Sequence, residues 1–375
     1  MKQKSNQRVL DPSGVLSAFH TDAEKIELIQ KVLDSKLPCY AFGRNEHVKN
    51  LSNFLQLEGV VDDYAGGTSW NDLTVISGEA VPAGAMVVNC SMAISPLSAE
   101  KRISTLPQVM ALNYADLLRL ADSELAVPQF VAAARVDLTS NLSRHRTVFE
   151  SLTDEESKQV FNRVMSYRLT ADPSFMRGFS VRFKEQYFEG FLGVPDDSIF
   201  VDCGGFDGDT TEIFASRHPN YANIYFFEPS IANMLKARDR LASLRNIEFV
   251  PLGVSNKREI LRFDSASGSA SAISMAGDSS IDVTTLDGHI DERTDFIKMD
   301  LEGWELNALQ GAERHIREHQ PILAIAVYHH ISDFWKIPEY VLSQHADYDI
   351  YLRHYTEGWS ETVMYFVPRR IICDR

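Results

Sequence analysis

Apolar positions along the first third of the chain alternate between two periods. Residues 22–36 carry Ile26, Ile29 and Leu33 at helical spacing and predict an amphipathic helix. The run at 39–43 (CYAFG) reads as a buried strand, and 46–58 returns to helical spacing with Val48, Leu51 and Leu55 on one side. Three further short strands are predicted at 59–65, 73–76 and 85–91. Strand, helix and strand in succession imply parallel pairing, so residues from about 36 to 125 read as a small Rossmann-type α/β domain. Residues 1–20 are polar and read as a frayed arm.

Residues 100–192 read mostly as helix. The stretch 106–121 (LPQVMALNYADLLRLA) is amphipathic, and 153–168 begins with Thr153 and Glu156 spaced as a capping box. No Pro/Gly/Ser-rich tether separates the halves. The expected division is therefore a small N-terminal domain (1–125), a helical connector (126–192) and a C-terminal domain (193–375). From 199 onward strands and helices alternate: strands at 199–204, 223–229, 247–254, 295–301 and 322–329, with helices after 209, 230, 303 and 333. Shorter β runs are predicted at 259–263 and 281–286, and a closing hairpin at 348–355 and 361–368. This order predicts a mostly parallel seven-stranded sheet whose last strand is antiparallel. One stretch, 265–280, is rich in Ser, Ala and Gly and reads as a mobile loop.

Composition narrows the function classes. The chain has 375 residues, 44% hydrophobic and 24% charged, which is ordinary for a globular protein of two domains. A formal net charge of −15 argues against non-specific binding to nucleic acid or anionic membranes. No stretch reaches the roughly 20 apolar residues of a membrane span, and the N-terminus lacks the apolar segment of a secretory signal. Cys39, Cys90, Cys203 and Cys373 are far apart and form no CxxC pair. Neither a zinc site nor a disulfide framework is expected, and a cytoplasmic protein with reduced thiols is.

Four segments carry candidate chemistry. VDCGGFDGDTT (201–211) takes an apolar strand into a glycine-rich turn and then a helix opening at Thr210 or Thr211, at the sheet edge where α/β proteins bind ligands. The loop holds Asp202, Asp207 and Asp209 and lacks GxGxxG. Three carboxylates would repel a pyrophosphate but suit a cation such as S-adenosyl-L-methionine, which carries an ammonium and a sulfonium. A helix start that merely favours acidic residues is the plainer alternative. FFEPS (226–230) ends the next strand with Glu228, 24 positions after Gly204, where a carboxylate is placed to bind ribose hydroxyls. FIKMDLEGWELNALQGA (296–312) places Asp300 and Glu302 where a strand becomes a helix. Asp300 is a candidate base for a substrate hydroxyl, whereas Glu305 reads as a helix cap. VYHH (327–330) offers His329 or His330 as an alternative base, each equally readable as a structural histidine. Asp300, Glu302 and His329 could together bind a divalent cation, but their spacing is not diagnostic and no metal is expected.

Taken in order, VDCGGFDGDTT, FFEPS, TTLDGH (284–289), IKMDLEGWELNALQGA and AVYHH resemble the FkbM family of methyltransferases over roughly residues 185–368. The resemblance implies a class I methyltransferase fold that uses S-adenosyl-L-methionine to methylate a hydroxyl of a sugar, glycan or secondary metabolite. It implies that Asp202, Gly204, Gly205, Phe206, Asp207 and Thr211 build the cofactor loop, with Glu228 and Pro229 at the ribose. It further implies that Gln186 and Tyr187 of EQYF close over the cofactor, and that Asp300, Glu302 and His329 flank the reacting centre. The partners implied are a small-molecule or glycan acceptor and a possible second copy of the chain. Residues 60–77 and 87–91 resemble the small Rossmann-like module of sugar-modifying acyltransferases, which can bind a nucleotide or nucleotide-sugar. Here its first loop, FGRNEH (42–47), has a single glycine and departs from a phosphate cradle. Two rivals stand against the enzyme reading: a non-catalytic scaffold that keeps the fold, and a nicotinamide-dependent oxidoreductase, which the missing GxGxxG disfavours.

Overall fold

The computed structural model describes residues 8–18, 23–34, 36–120, 124–263 and 279–369. In chain order its first elements are α1 (Pro12–Ala18), α2 (Ala23–Leu33), β1 (Cys39–Phe42), α3 (Glu46–Phe54), β2 (Gly59–Val61), β3 (Ser69–Trp70), β4 (Leu73–Ile76), β5 (Met86–Asn89), α4 (Pro96–Ser104), β6 (Met110–Asn113) and α5 (Tyr114–Leu120). Then come α6 (Gln129–Ser140), α7 (Leu142–Ser151) and α8 (Glu155–Thr170). The second half holds β7 (Ile199–Cys203), α9 (Asp209–Arg217), β8 (Asn223–Phe227), α10 (Ile231–Arg240), β9 (Ile247–Val250), β10 (Gly253–Val254), β11 (Glu259–Phe263), β12 (Ser279–Thr284) and α11 (Leu286–His289). It closes with β13 (Phe296–Met299), α12 (Glu305–Gln310), β14 (Ile322–Ala326), α13 (Asp333–Gln344), β15 (Tyr348–His354) and β16 (Thr362–Pro368).

The chain forms two compact units. The first comprises Met1–Ser143, Gln159–Arg182 and His354–Ser360; the second comprises Arg144–Lys158, Phe183–Arg353 and Glu361–Arg375. In the first unit a six-stranded sheet runs β3-β4-β2-β1-β5-β6, parallel except for the β3–β4 pair. Fully buried Val60, Met86 and Val88 of its strands pack with Val48 and Leu51 of α3. In the second unit a seven-stranded sheet runs β15-β16-β14-β13-β7-β8-β9, with β9, β8, β7, β13 and β14 parallel and β16 antiparallel to β14. Strands β7, β13 and β14 are buried on both faces, which is why their sequences read as apolar runs, interrupted only by Asp202 in β7 and Lys298 in β13. Phe200 of β7 stacks on Phe214 of α9 at 4.1 Å and lies 5.1 Å from Phe296 of β13. A small sheet, β10-β12-β11, branches off beside β9 in sequence.

Several expectations are corrected. Residues 12–18 are helical rather than frayed. On α2 the buried positions are Ile29 and Val32, while Ile26 and Leu33 are 44% and 38% exposed. The predicted helix at 106–121 divides into β6 and α5. Gln108 turns at φ +55° and Met110 to Asn113 then pair in parallel with β5, so the ladder outweighs the local helical period. The start of α8 is capped by Asp154, whose carboxylate accepts the Ser157 N–H at 2.8 Å. Thr153 instead exchanges hydrogen bonds with the backbone of Ile350 at 2.9 and 3.0 Å. The helix predicted after residue 303 stops at Gln310, and a π-helical turn follows at His315–His319. The small-residue loop lies outside the described residues apart from its last two positions.

Candidate functional site

Four strand ends place most of the predicted residues along one edge of the second unit's sheet. After β7 the chain turns through Gly204 (φ +77°), Phe206 (φ +50°) and Gly208 (φ +86°) before α9 begins. Gly204 is obligatory twice over. Its φ is left-handed, and a Cβ there would lie 2.1 Å from the carbonyl oxygen of Asp300. A Cβ on Gly205 would lie 2.1 Å from the ring of Phe226. The loop is thus pressed against β13 and β8 and presents backbone at the switch in strand order, where open α/β sheets bind ligands.

The loop's acidic residues do not form a bare anionic cradle. Asp202 is fully buried, accepts the Thr211 hydroxyl at 2.7 Å and faces the Lys298 ammonium at 3.0 Å. Lys298 also donates to the carbonyl oxygen of Gly204 at 2.7 Å. Burial works to lower the lysine's pKa, but Asp202 and Asp300 more than offset it, and the net shift is upward. Asp207 is paired with Arg240 at 2.8 Å. Two of the three carboxylates that favoured a cation are therefore neutralised by partners of their own. Asp202 and Thr211 hold the loop from beneath, closed from solvent.

Glu228 sits at the end of β8, 6% exposed. One carboxylate oxygen accepts the Phe206 N–H at 3.0 Å and the other the Ser230 N–H at 2.7 Å, so the residue ties the glycine loop to the start of α10. Burial raises its pKa, opposed by those two amides. Each oxygen keeps a lone pair for a further donor. Pro229 follows, half-buried.

Asp300 lies at the centre of a polar network just beyond β13. Its Oδ2 accepts the Tyr187 hydroxyl at 2.7 Å and its Oδ1 the Tyr328 hydroxyl at 3.3 Å. Gln186 donates to the Tyr187 oxygen at 3.1 Å and to Glu361 at 2.7 Å. Tyr187 is held at φ +69° with its own N–H on the Tyr365 oxygen at 3.0 Å. Burial first, then Asp300, push both tyrosines well above their ordinary range, so both remain proton donors. Glu361 is pushed up to about 7 by burial and by Asp300.

His329, beyond the end of β14, completes the cluster. Its Nε2 lies 3.1 Å from Glu302 and 3.6 Å from Asp300, and its Nδ1 lies 3.0 Å from Glu305. Burial alone would lower its pKa, but Glu305, Glu302 and Asp300 together hold it well above the usual imidazole value. Glu305 is fully buried and accepts the Leu301 N–H at 2.7 Å and the Gly303 N–H at 3.3 Å. It is therefore both the expected cap and a partner of the histidine. His330 is exposed, with its ring beside Gly303 and its N–H on Asp333 at 3.1 Å, whereas the buried His329 ring stands among the carboxylates.

The structure thus gathers Gln186, Tyr187, Asp300, Glu302 and His329 in one network, and Gly204, Gly205, Phe206 and Glu228 in an adjoining loop. Sequence reasoning passed over Lys298, Tyr328 and Glu361. Lys298 had a partial signal, one charge in each of two otherwise apolar strands, but the register that sets it opposite Asp202 belongs to the pairing of β13 with β7. Glu361 had none, because it belongs to the network only through the fold of the closing hairpin.

In the first unit the comparable helix starts are already filled. Asn45 accepts the N–H groups of His47 and Val48 at the start of α3. Glu357 accepts both the N–H and the hydroxyl of Ser98 at the start of α4, at 2.7 and 2.8 Å. A phosphate would have to displace these acceptors.

Residues 202–357 match the family model of the methyltransferase FkbM domain. Among solved structures, the chain is similar to the methyltransferase FkbM from Methylobacillus flagellatus, with 23% identity, coverage of 95% of this chain and 100% of that one, and a TM-score of 0.71. It is similar over a shorter span to an rRNA methylase from Streptococcus thermophilus, with 19% identity, 48% and 91% coverage and a TM-score of 0.33. A Streptococcus mutans protein solved in complex with SAH gives 14% identity, 47% and 93% coverage and a TM-score of 0.31. No curated protein matches the sequence.

Proposed function

We propose, from the FkbM methyltransferase domain that this chain carries over residues 202–357, that the protein is a class I, S-adenosyl-L-methionine-dependent O-methyltransferase acting on a small-molecule or glycan hydroxyl. The observation that carries the reading is where that domain's chemistry lies. The glycine loop, Glu228 and the Asp300 network share one edge of the sheet, with an excess of carboxylates at the Asp300 end. The cofactor's demands fit these residues. The free lone pairs of Glu228 suit two ribose hydroxyls, and the acidic cluster suits a cation. The adjoining Gly204, Gly205, Phe206 and Pro229 would line the cofactor. Asp202, Asp207 and Thr211 would support the loop from behind.

When bound, the cofactor supplies an electrophilic methyl on a sulfonium leaving group. The chain's residues then have two tasks, positioning the acceptor oxygen and accepting its proton. Asp300 is the candidate base. The hydroxyls of Tyr187 and Tyr328 orient its carboxylate, and Gln186 and Glu361 buttress Tyr187. Glu302 and His329 flank it as an ion pair that sets the local charge. A cytoplasmic enzyme with no nucleic-acid substrate fits the acidic composition. No helix among the described residues is long and apolar enough to cross a membrane.

The test is isothermal titration of the purified protein with S-adenosylhomocysteine, with NAD as the control, followed by a screen of sugar acceptors read by the mass gain of one methyl. Binding of S-adenosylhomocysteine alone supports the reading. Preferential binding of NAD would overturn it, and binding without transfer to any hydroxyl would favour a scaffold.

A further inference from the structure

The network at the ends of β13 and β14 carries more negative charge than its own cations balance. Asp300, Glu302, Glu305, Asp333 and Glu361 all act on one another or on His329 across this small region. The basic groups facing them are Lys298, Lys336 and His329. Lys298 is committed to Asp202 and to the carbonyl oxygen of Gly204. Lys336 acts on Asp333 from α13. The His329 ring stands among the remaining carboxylates.

The ring serves them poorly. The His329 side chain is 8% exposed and both nitrogens stand within ion-pair reach of carboxylates, yet neither makes a hydrogen bond of acceptable geometry. Glu305 has the same defect. Its side chain is 1% exposed, its Oε1 takes two backbone N–H groups, and its Oε2 has no donor. A buried carboxylate oxygen without a donor is destabilising, and it sits here beside a misaligned imidazole. One group satisfies both at once, a cation that takes as ligands the Glu305 oxygen and the in-plane lone pair of a deprotonated His329 nitrogen.

We propose that Asp300, Glu305 and His329 form a binding site for one divalent transition-metal ion of the Mn²⁺ class. The three residues offer ligand atoms that all lie within 4.8 Å of one another. Ligands about 2.1 Å from one ion stand roughly 3–4.3 Å apart, so a small inward rotation of these side chains closes the set. Two carboxylates and an imidazole suit Mn²⁺, Fe²⁺ or Zn²⁺ better than Ca²⁺, which prefers oxygen ligands alone. Glu302, 3.1 Å from His329 Nε2, lies beside the set without belonging to it. The backbone N–H groups of Leu301 and Gly303 on Glu305 fix that ligand as an outer shell would. The site stands whether or not the protein transfers methyl groups.

The experiment titrates the full chain, stripped of metal by chelator and dialysis, with MnCl₂. Free Mn²⁺ is read by its electron paramagnetic resonance signal, and heat by calorimetry. The expected result is one Mn²⁺ per chain, with affinity falling about tenfold or more in Glu305→Gln and in His329→Ala and unchanged in the surface control Glu313→Gln. Absence of binding up to about 1 mM, or binding indifferent to Glu305 and His329, overturns the proposal. If either variant fails to fold, anomalous diffraction at the manganese edge from wild-type crystals decides by whether the peak falls between these three side chains. S-adenosylhomocysteine titrated in the absence of metal is read separately. Mn²⁺ binding without it would keep this site and sink the methyltransferase reading, and the reverse result would do the opposite.

Discussion

Replacing Lys298 by Met tests the support beneath the glycine loop. The lysine side chain is 4% exposed and Asp202 is 0% exposed, and their charged atoms are 3.0 Å apart. At an effective dielectric near 20 the bare attraction is about 5 kcal/mol, of which burying both charges consumes a part. Methionine matches the lysine stem in length but leaves Asp202 with only the Thr211 hydroxyl and leaves the carbonyl oxygen of Gly204 without its 2.7 Å donor. Breaking a buried pair in this one-sided way costs about 3–5 kcal/mol. Urea unfolding at neutral pH, followed by circular dichroism, should show that loss in Lys298→Met. The double variant Lys298→Met, Asp202→Asn should recover much of it, because no unpaired charge remains. A loss below about 1 kcal/mol, or a double variant no better than the single, would refute the view that this pair anchors the loop.

Four further outcomes follow from the same geometry. Glu228→Ala should raise the dissociation constant for S-adenosylhomocysteine about 10- to 100-fold, since each hydrogen bond to a buried carboxylate is worth about 1.5–3 kcal/mol; unchanged affinity in titration would remove Glu228 from the ribose site. Asp300→Asn should lower turnover on an identified acceptor by about 10²-fold or more while S-adenosylhomocysteine still binds, and full activity would end its assignment as base. Gly204→Ala should lower the melting temperature and abolish cofactor binding, because the added methyl meets the Asp300 carbonyl at 2.1 Å at a left-handed φ; a wild-type melting curve would contradict the packing described. Glu361 carries a pH signature. Its carboxyl rises from 4.5 to about 7 on folding, so the native state holds a proton that the unfolded state gives up between those values, and its contribution to stability falls as pH rises through that window. Glu361→Gln should therefore show a shallower loss of stability from pH 4.5 to 7 than wild type, and identical slopes would remove the raised carboxyl.

What the sequence determined by itself was local. Largely apolar runs at 199–204 and 322–329 belong to strands covered on both faces, and glycine followed at once by a helix fixes where the chain turns toward a ligand. Gly204, Glu228, Asp300 and His329 could be named because each stands at a strand end, and in a parallel sheet all strand ends of one sense share an edge. The tertiary structure decided what those residues face. Only strand register sets Lys298 against Asp202, turning an expected acidic cradle for a cation into a neutralised support. Only the closing hairpin brings Glu361 beside Gln186. The stretch 106–121 shows the same limit from the other side. Its apolar spacing suits a helix, yet Met110 to Asn113 find an open strand edge at β5, and a ladder of backbone hydrogen bonds outweighs a few tenths of a kcal/mol of local propensity per residue. Spacing along a chain reports the faces of one element, whereas charge pairing and strand order depend on which elements meet, and that is settled by packing between residues far apart in sequence.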